Sequence, residues 1–240
     1  MIVPLPEAPP VQGEPPRRPF RARGANVVRC GDCRLPDRNC ICAFRPRLNA
    51  AVDFWLMMHP DEVYKPTNTG RLIEECLLGT RRFRWQRREA DPAFDAALTQ
   101  TAIQPYIVFP AKGEPYRHRC QPFRPEPGKR PVFILLDGTW QQAGKMFRLT
   151  RYLDSLPVLS LAPEQGSEYG LRKASHEGQL CTAEVAAALL QLAGFAWESL
   201  LLTRYFRVFS RHYVAGRHSR SILEDDEDMR CLRAYRGQRG

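Results

Sequence analysis

The chain has 240 residues, 43% hydrophobic and 26% charged, enough for one full core or for one core with a small appended module. Lys and Arg outnumber Asp and Glu by 36 to 26, and the net charge of +10 favours a polyanionic partner. No run approaches the ~20 apolar residues of a spanning helix, and the start has no signal-peptide core, so a cytoplasmic protein without a membrane segment is expected.

Residues 1–26 are rich in proline and arginine and read as a disordered or extended arm. Its Arg17, Arg18, Arg21 and Arg23 suit a solvated tail as well as a phosphate contact. Next comes "CGDCRLPDRNCIC", which places Cys30, Cys33, Cys40 and Cys42 in the spacing C-x2-C-x6-C-x-C among turn formers. Thiolates so spaced converge on one tetrahedral ion, and a structural zinc module over 27–48 is expected. A disulfide pair and an iron–sulfur cluster are the competing readings. Cys76, Cys120, Cys181 and Cys231 are scattered and read as packed or exposed thiols.

From residue 49 onward, strand-like and helix-like stretches alternate. "AVDFWLMM" (51–58), "PYIVF" (105–109), "PVFILL" (131–136) and "PVLSL" (157–161) read as strands. "NTGRLIEECLLG" (68–79), "DPAFDAAL" (91–98), a stretch from about 140 to 149, "TAEVAAALLQLAG" (182–194) and "AWESLLLTRYFRVFSRHYV" (196–214) read as helices. This order predicts an α/β fold, a largely parallel sheet with helices on both faces, over 49–215. "RRFRWQRR" (81–88) interleaves arginines with Phe83 and Trp85. It suits phosphates and unstacked bases, or equally a short strand with buried aromatics and solvated arginines. Residues 216–240, with their "EDDED" run, read as a charged, solvated tail.

No G-x-G-x-x-G, P-loop, G-x-S-x-G or H-E-x-x-H pattern is present, which disfavours a Rossmann cofactor site, a nucleotide triphosphatase and the common hydrolases. In parallel sheets ligands sit at the carboxyl ends of strands. There the stretch "LLDGTWQQAGKM" (135–146) ends a strand in Asp137, followed by Gly138, Thr139 and Trp140. An acid with a stacking surface suits a base or nucleoside; Asp137 as a mere helix cap is the bland alternative.

Together with the cysteine cluster, "HPDEVYKPTNTGRL" (59–72) and "YGLRKASHEGQLCTAEVAAALL" (169–190), the "DGTW" stretch resembles the DTW-domain proteins, the tRNA-uridine aminocarboxypropyltransferases, over about 27–200. The resemblance implies a SPOUT-like fold with a C-terminal trefoil knot that holds S-adenosylmethionine. It also implies transfer of the 3-amino-3-carboxypropyl group to N3 of a tRNA uridine, with tRNA as partner. Carried onto this chain, it implies Asp137, Thr139 and Trp140 at the reacting centre. Phe109, Pro110, Leu136, Gly138, Leu161, Ala162, Tyr169, Leu171, Arg172, Thr182 and Glu184 would then lie around the cofactor. His59, Lys65, Asn68, Thr69, Arg71, Arg81, Arg82 and Arg84 would face the tRNA. Thr182 with Glu184 could equally just begin a helix, and Asn68 or Thr69 could just cap one. Cys181 stands where a serine is expected. A SPOUT-type methyltransferase and a non-catalytic zinc-bearing RNA-binding protein are the rival functions.

Overall fold

The computed structural model describes residues 27–63, 65–110, 114–161 and 180–237. Five parallel strands form one sheet in the order β2-β1-β4-β3-β5. They are β1 (Asp53–Met58), β2 (Thr80–Arg84), β3 (Ile103–Val108), β4 (Arg130–Asp137) and β5 (Val158–Leu159). The arginine run is therefore an edge strand, with Phe83 buried and Arg81, Arg82 and Arg84 exposed.

Side chains alternate across a strand, so each central strand feeds two cores. Phe54, Leu56, Met58, Phe133 and Leu135 face one side. They pack there on α1 (Gly70–Cys76), α5 (Thr182–Leu192) and α6 (Ala196–Arg217). Trp55, Met57, Val132, Ile134 and Leu136 face the other side, against α2 (Pro92–Leu98) and α4 (Trp140–Leu149). A short α3 (Glu114–Arg117) lies between β3 and β4. Both faces are covered, as the continuous apolar runs require of a parallel sheet. Among the described residues, no helix is long and apolar enough to cross a membrane.

The chain leaves β1 toward β2 on one flank and leaves β4 toward β5 on the other. The crevice between the carboxyl ends of β1 and β4 is thus a topological switch point, where open α/β sheets take their ligands. Register sets Met58 beside Asp137, and the amide of His59 donates to the Asp137 carbonyl at 2.9 Å.

The expected solvated tail over 216–240 is corrected by α7 (Glu227–Gly237). Met229, Leu232 and Tyr235 recur at near-helical spacing and are buried in the core shared with α6 and the cysteine module. The acidic run is not free in water either. Asp228 pairs with Arg204 and Arg211, both at 3.0 Å, and Asp225 with Arg233 at 2.8 Å. The arm over 1–26 and the segment 162–179 lie outside the described residues.

Candidate functional site

Asp137 ends β4 in the switch-point crevice and is 1% exposed. Its Oδ2 accepts from Asn68 Nδ2 at 2.6 Å, and its Oδ1 accepts from the Thr182 hydroxyl at 2.7 Å. A buried carboxylate needs such donors, since an unpaired charge in a low-dielectric interior costs several kcal/mol. Asn68 is fixed from behind as well, its Oδ1 accepting the Arg71 amide at 3.0 Å. Gly70 is required here: a Cβ at that position would lie 2.7 Å from Asp137 Oδ2. One carboxylate therefore joins the loop after β1, the end of β4 and the start of α5.

Asp137 does not cap α4. Thr139 does, its hydroxyl accepting from the Gln142 amide at 3.3 Å while Gln142 Oε1 accepts from the Thr139 amide at 2.8 Å. That is a capping box, and its T-x-x-Q signal is present in the sequence. Thr139 is thereby occupied as a cap, while Trp140 opens the helix half-buried. Gln142 also donates from Nε2 to Asp61 at 3.1 Å, tying α4 to the loop after β1.

The residues read as tRNA contacts divide in two. Asn68, Thr69 and Arg71 turn inward: Thr69 Oγ1 accepts from the Ala183 amide at 3.4 Å, and Arg71 Nε faces Glu75 at 3.0 Å. Helix α1 shares one core with the sheet, α5 and α6, so its first turn is interior. His59 and Lys65 are half-buried, with Lys65 paired to the buried Glu62 at 2.5 Å. Arg81, Arg82 and Arg84 stay at the surface on β2. Trp85, just beyond them, stacks on His59 with ring centroids 5.3 Å apart, and donates from Nε1 to Thr150 at 2.9 Å. The sequence signalled this only by a tryptophan set among arginines.

Phe109, Pro110, Leu136, Gly138 and Leu161 follow or end β3, β4 and β5, side by side in the sheet. Phe109 spends its ring on Phe147, 4.4 Å away and nearly parallel, and its amide donates to the Leu159 carbonyl at 3.2 Å. Leu136 is buried and Leu161 packs partly into the core. Cys181 is the N-cap of α5, and Glu184 reaches back to its amide at 2.7 Å. Glu184 is thus the first-turn acid of the bland reading, whereas Thr182 is not the cap and turns to Asp137. Burial pushes the Cys181 thiol far up, so this residue is a neutral group where a serine was expected. Ala162, Tyr169, Leu171 and Arg172 lie outside the described residues.

At the N-terminus the four sulfurs of Cys30, Cys33, Cys40 and Cys42 lie within 4.8 Å of one another. Cys30 and Cys42 are 3.7 Å apart, and Cys33 and Cys40 3.8 Å. Four thiolates about 2.3 Å from a central zinc span tetrahedral edges of about 3.8 Å, so the set fits one such ion. The spacing suits one ion better than a multi-iron cluster, whose thiolates are spread over two or more metals, and it is too wide for disulfide bonds. Arg34, in the left-handed region at φ 57°, turns the chain after the second ligand. Backbone donation from Cys33 lowers the Cys30 thiol to about 7, and burial raises Cys33 to about 11. All four ligands are protein, so a metal here would hold structure.

No solved structure matches the chain. It is 26% identical over 173 residues to tRNA-uridine aminocarboxypropyltransferase 2 of Macaca fascicularis, covering 68% of this chain and 55% of the relative. The protein of the same name from Drosophila melanogaster is 26% identical over 175 residues, covering 68% and 65%. That from Mus musculus is 24% identical over 165 residues, covering 68% and 55%. The chain thus spans little more than half the length of the mammalian relatives it matches. The DTW domain pattern matches residues 27–214, from the cysteine module through α6, and the chain belongs to the DTW-domain family.

Proposed function

We propose that the protein transfers the 3-amino-3-carboxypropyl group of S-adenosylmethionine to N3 of a tRNA uridine, releasing 5'-methylthioadenosine. The observation that carries this reading is the Asp137 centre, where stretches 59–70, 136–140 and 181–184 meet on one carboxylate at the switch point. The family membership and the printed names of the relatives support it. The SPOUT-like fold with a C-terminal trefoil knot, which the family resemblance implies, belongs to the proposal.

S-adenosylmethionine supplies a sulfonium that activates three neighbouring carbons, and placement selects which one reacts. Backbone groups of Phe109, Pro110, Leu136, Gly138 and Leu161 at three adjacent strand ends suit it, with Thr182 and Glu184 at the start of α5. Ala162, Tyr169, Leu171 and Arg172 join them by family resemblance. Trp140 walls the base, and His59, Trp85 and the β2 arginines face the RNA.

As uracil N3 bonds to the aminocarboxypropyl carbon, the carbon–sulfur bond breaks and its electron pair returns to sulfur. The N3 proton must leave, and a positioned carboxylate is the natural acceptor. Because Oδ1 is already taken by the half-buried Thr182 hydroxyl, the proton passes to that hydroxyl while its own moves to Asp137. Asp137 is then the terminal acceptor and Thr182 the group that meets the base.

Incubation with S-adenosylmethionine and unmodified tRNA tests the reading. Release of 5'-methylthioadenosine supports it. S-adenosylhomocysteine would mark a methyltransferase, and RNA binding without either product a non-catalytic binder.

A further inference from the structure

A cleft of roughly 300 Å³, not lined by Asp137, lies between the cysteine module, α1 and β2. Four guanidiniums line it: Arg34 and Arg45 from the module, Arg71 from α1 and Arg82 from β2. They face three carboxylates, Asp32, Glu74 and Glu75, which leaves a surplus of one positive charge. Arg82 is engaged by Glu74, and Arg45 Nε lies 3.5 Å from Glu75. Arg34 donates only to a backbone carbonyl, that of Val63 at 3.3 Å, and has no carboxylate partner among the described residues.

The decisive group is Arg71. Its side chain is 9% exposed, yet its Nη2 is buried and has no hydrogen-bond partner among the described residues. A buried donor left unmade is costly, and Arg71 lines the cleft wall, where a ligand oxygen would satisfy it. We infer that this cleft binds one phosphodiester of the RNA backbone, so that the cysteine module is part of the RNA-binding surface rather than only a structural cap. A phosphodiester carries one negative charge and matches the surplus, and guanidiniums grip its oxygens in forked pairs.

The arrangement also ties this grip to both neighbouring sites. Arg45 Nη2 lies 3.6 Å from Cys42 Sγ, one of the four thiols, and the Arg71 amide is held by Asn68, which donates to Asp137. A phosphate on Arg71 would therefore set the RNA three residues from the group that holds the acid in place.

The inference rests on RNA being the substrate, and the test separates the two. Binding of an unmodified tRNA transcript to the full, zinc-loaded chain is measured across salt, for the wild type, for Arg34→Asn with Arg82→Gln, and for Asp32→Asn. Asparagine tolerates the left-handed backbone at position 34, and all three side chains are at the surface. The double variant should bind about tenfold more weakly, with a salt slope shallower by about 0.7 to 0.9, one phosphate contact. Asp32→Asn should bind about two- to threefold more tightly. Wild-type binding with unchanged affinity and slope in both variants overturns the cleft but leaves the transfer reaction standing. A wild type that binds no tRNA removes both.

Discussion

Thr182 offers the sharpest test of the reacting centre. Thr182→Val keeps the side-chain shape but removes the hydroxyl that donates to Asp137 Oδ1 at 2.7 Å. A charge-assisted hydrogen bond to a buried carboxylate is lost, a cost of about 1.5–3 kcal/mol. In a chain of this size that lowers Tm by ~3–12 °C, taking roughly 2–4 °C per kcal/mol. If the hydroxyl also relays the N3 proton, turnover falls by about 10²- to 10⁴-fold, well beyond what the fraction unfolded explains at 25 °C. Thr182→Ser, which keeps the hydroxyl, should restore most of the rate. The assay is single-turnover release of 5'-methylthioadenosine from saturating tRNA and S-adenosylmethionine, with Tm measured on the same preparations. A Thr182→Val enzyme within about threefold of the wild type would refute the relay.

Gly70→Ala should displace the Asp137 carboxylate, because the new Cβ would stand 2.7 Å from Oδ2, and should cut turnover at least tenfold while tRNA affinity stays within about twofold. The purified chain should carry one zinc per molecule by elemental analysis; Cys33→Ser or a strong chelator should remove it and lower Tm by about 10 °C or more, because the module's Leu35, Ile41 and Phe44 are core residues. His212 is held below its ordinary 6.5, chiefly by burial, with Arg211 adding to the effect and the Asn39 carbonyl, Asp225 and Asp226 opposing it. The unfolded chain therefore takes up a proton that the fold refuses: stability is full above pH 6.5 and is lost as pH falls below it. Urea unfolding at pH 7.5 and 5 should show that loss, and His212→Gln should reduce it. Leu232→Ala should cost about 2–5 kcal/mol in the same measurement, and a loss under about 0.5 kcal/mol would mean that α7 does not dock in solution.

The sheet was legible because β1, β3 and β4 are near-continuous apolar runs, which parallel strands covered on both faces must be. The fourth run, 157–161, yields only Val158–Leu159, which pairs with β3 on one side and makes just an isolated bridge to Cys120 on the other. Helix α1 starts at Gly70 rather than Asn68 because Asn68 and Thr69 give their side chains to Asp137 and α5. Asp137 itself was legible as a strand-end acid; its confinement by two donors was not, as both come from distant segments. The inward turn of Arg71 was hidden for a different reason: its partner Glu75 is local, one helical turn on, and such a pair reads the same on an exposed helix as on a buried one. Helix α7 was missed because the acidic residues before it mask the Met229, Leu232 and Tyr235 stripe, whose charges find their arginines on α6.

The Tyr235 hydroxyl donates to the Arg47 carbonyl at 2.5 Å, and Arg236 to that of Cys42 at 2.9 Å, across 188 and 194 positions of sequence. Contacts of such separation close late in folding. During synthesis the cysteine module therefore waits, from its own emergence until residue 236 has left the ribosome, with the apolar wall that α7 covers open to water. For that interval the growing chain is exposed to proteases and to chaperones, and a metal ion captured early would help hold residues 27–48 in shape.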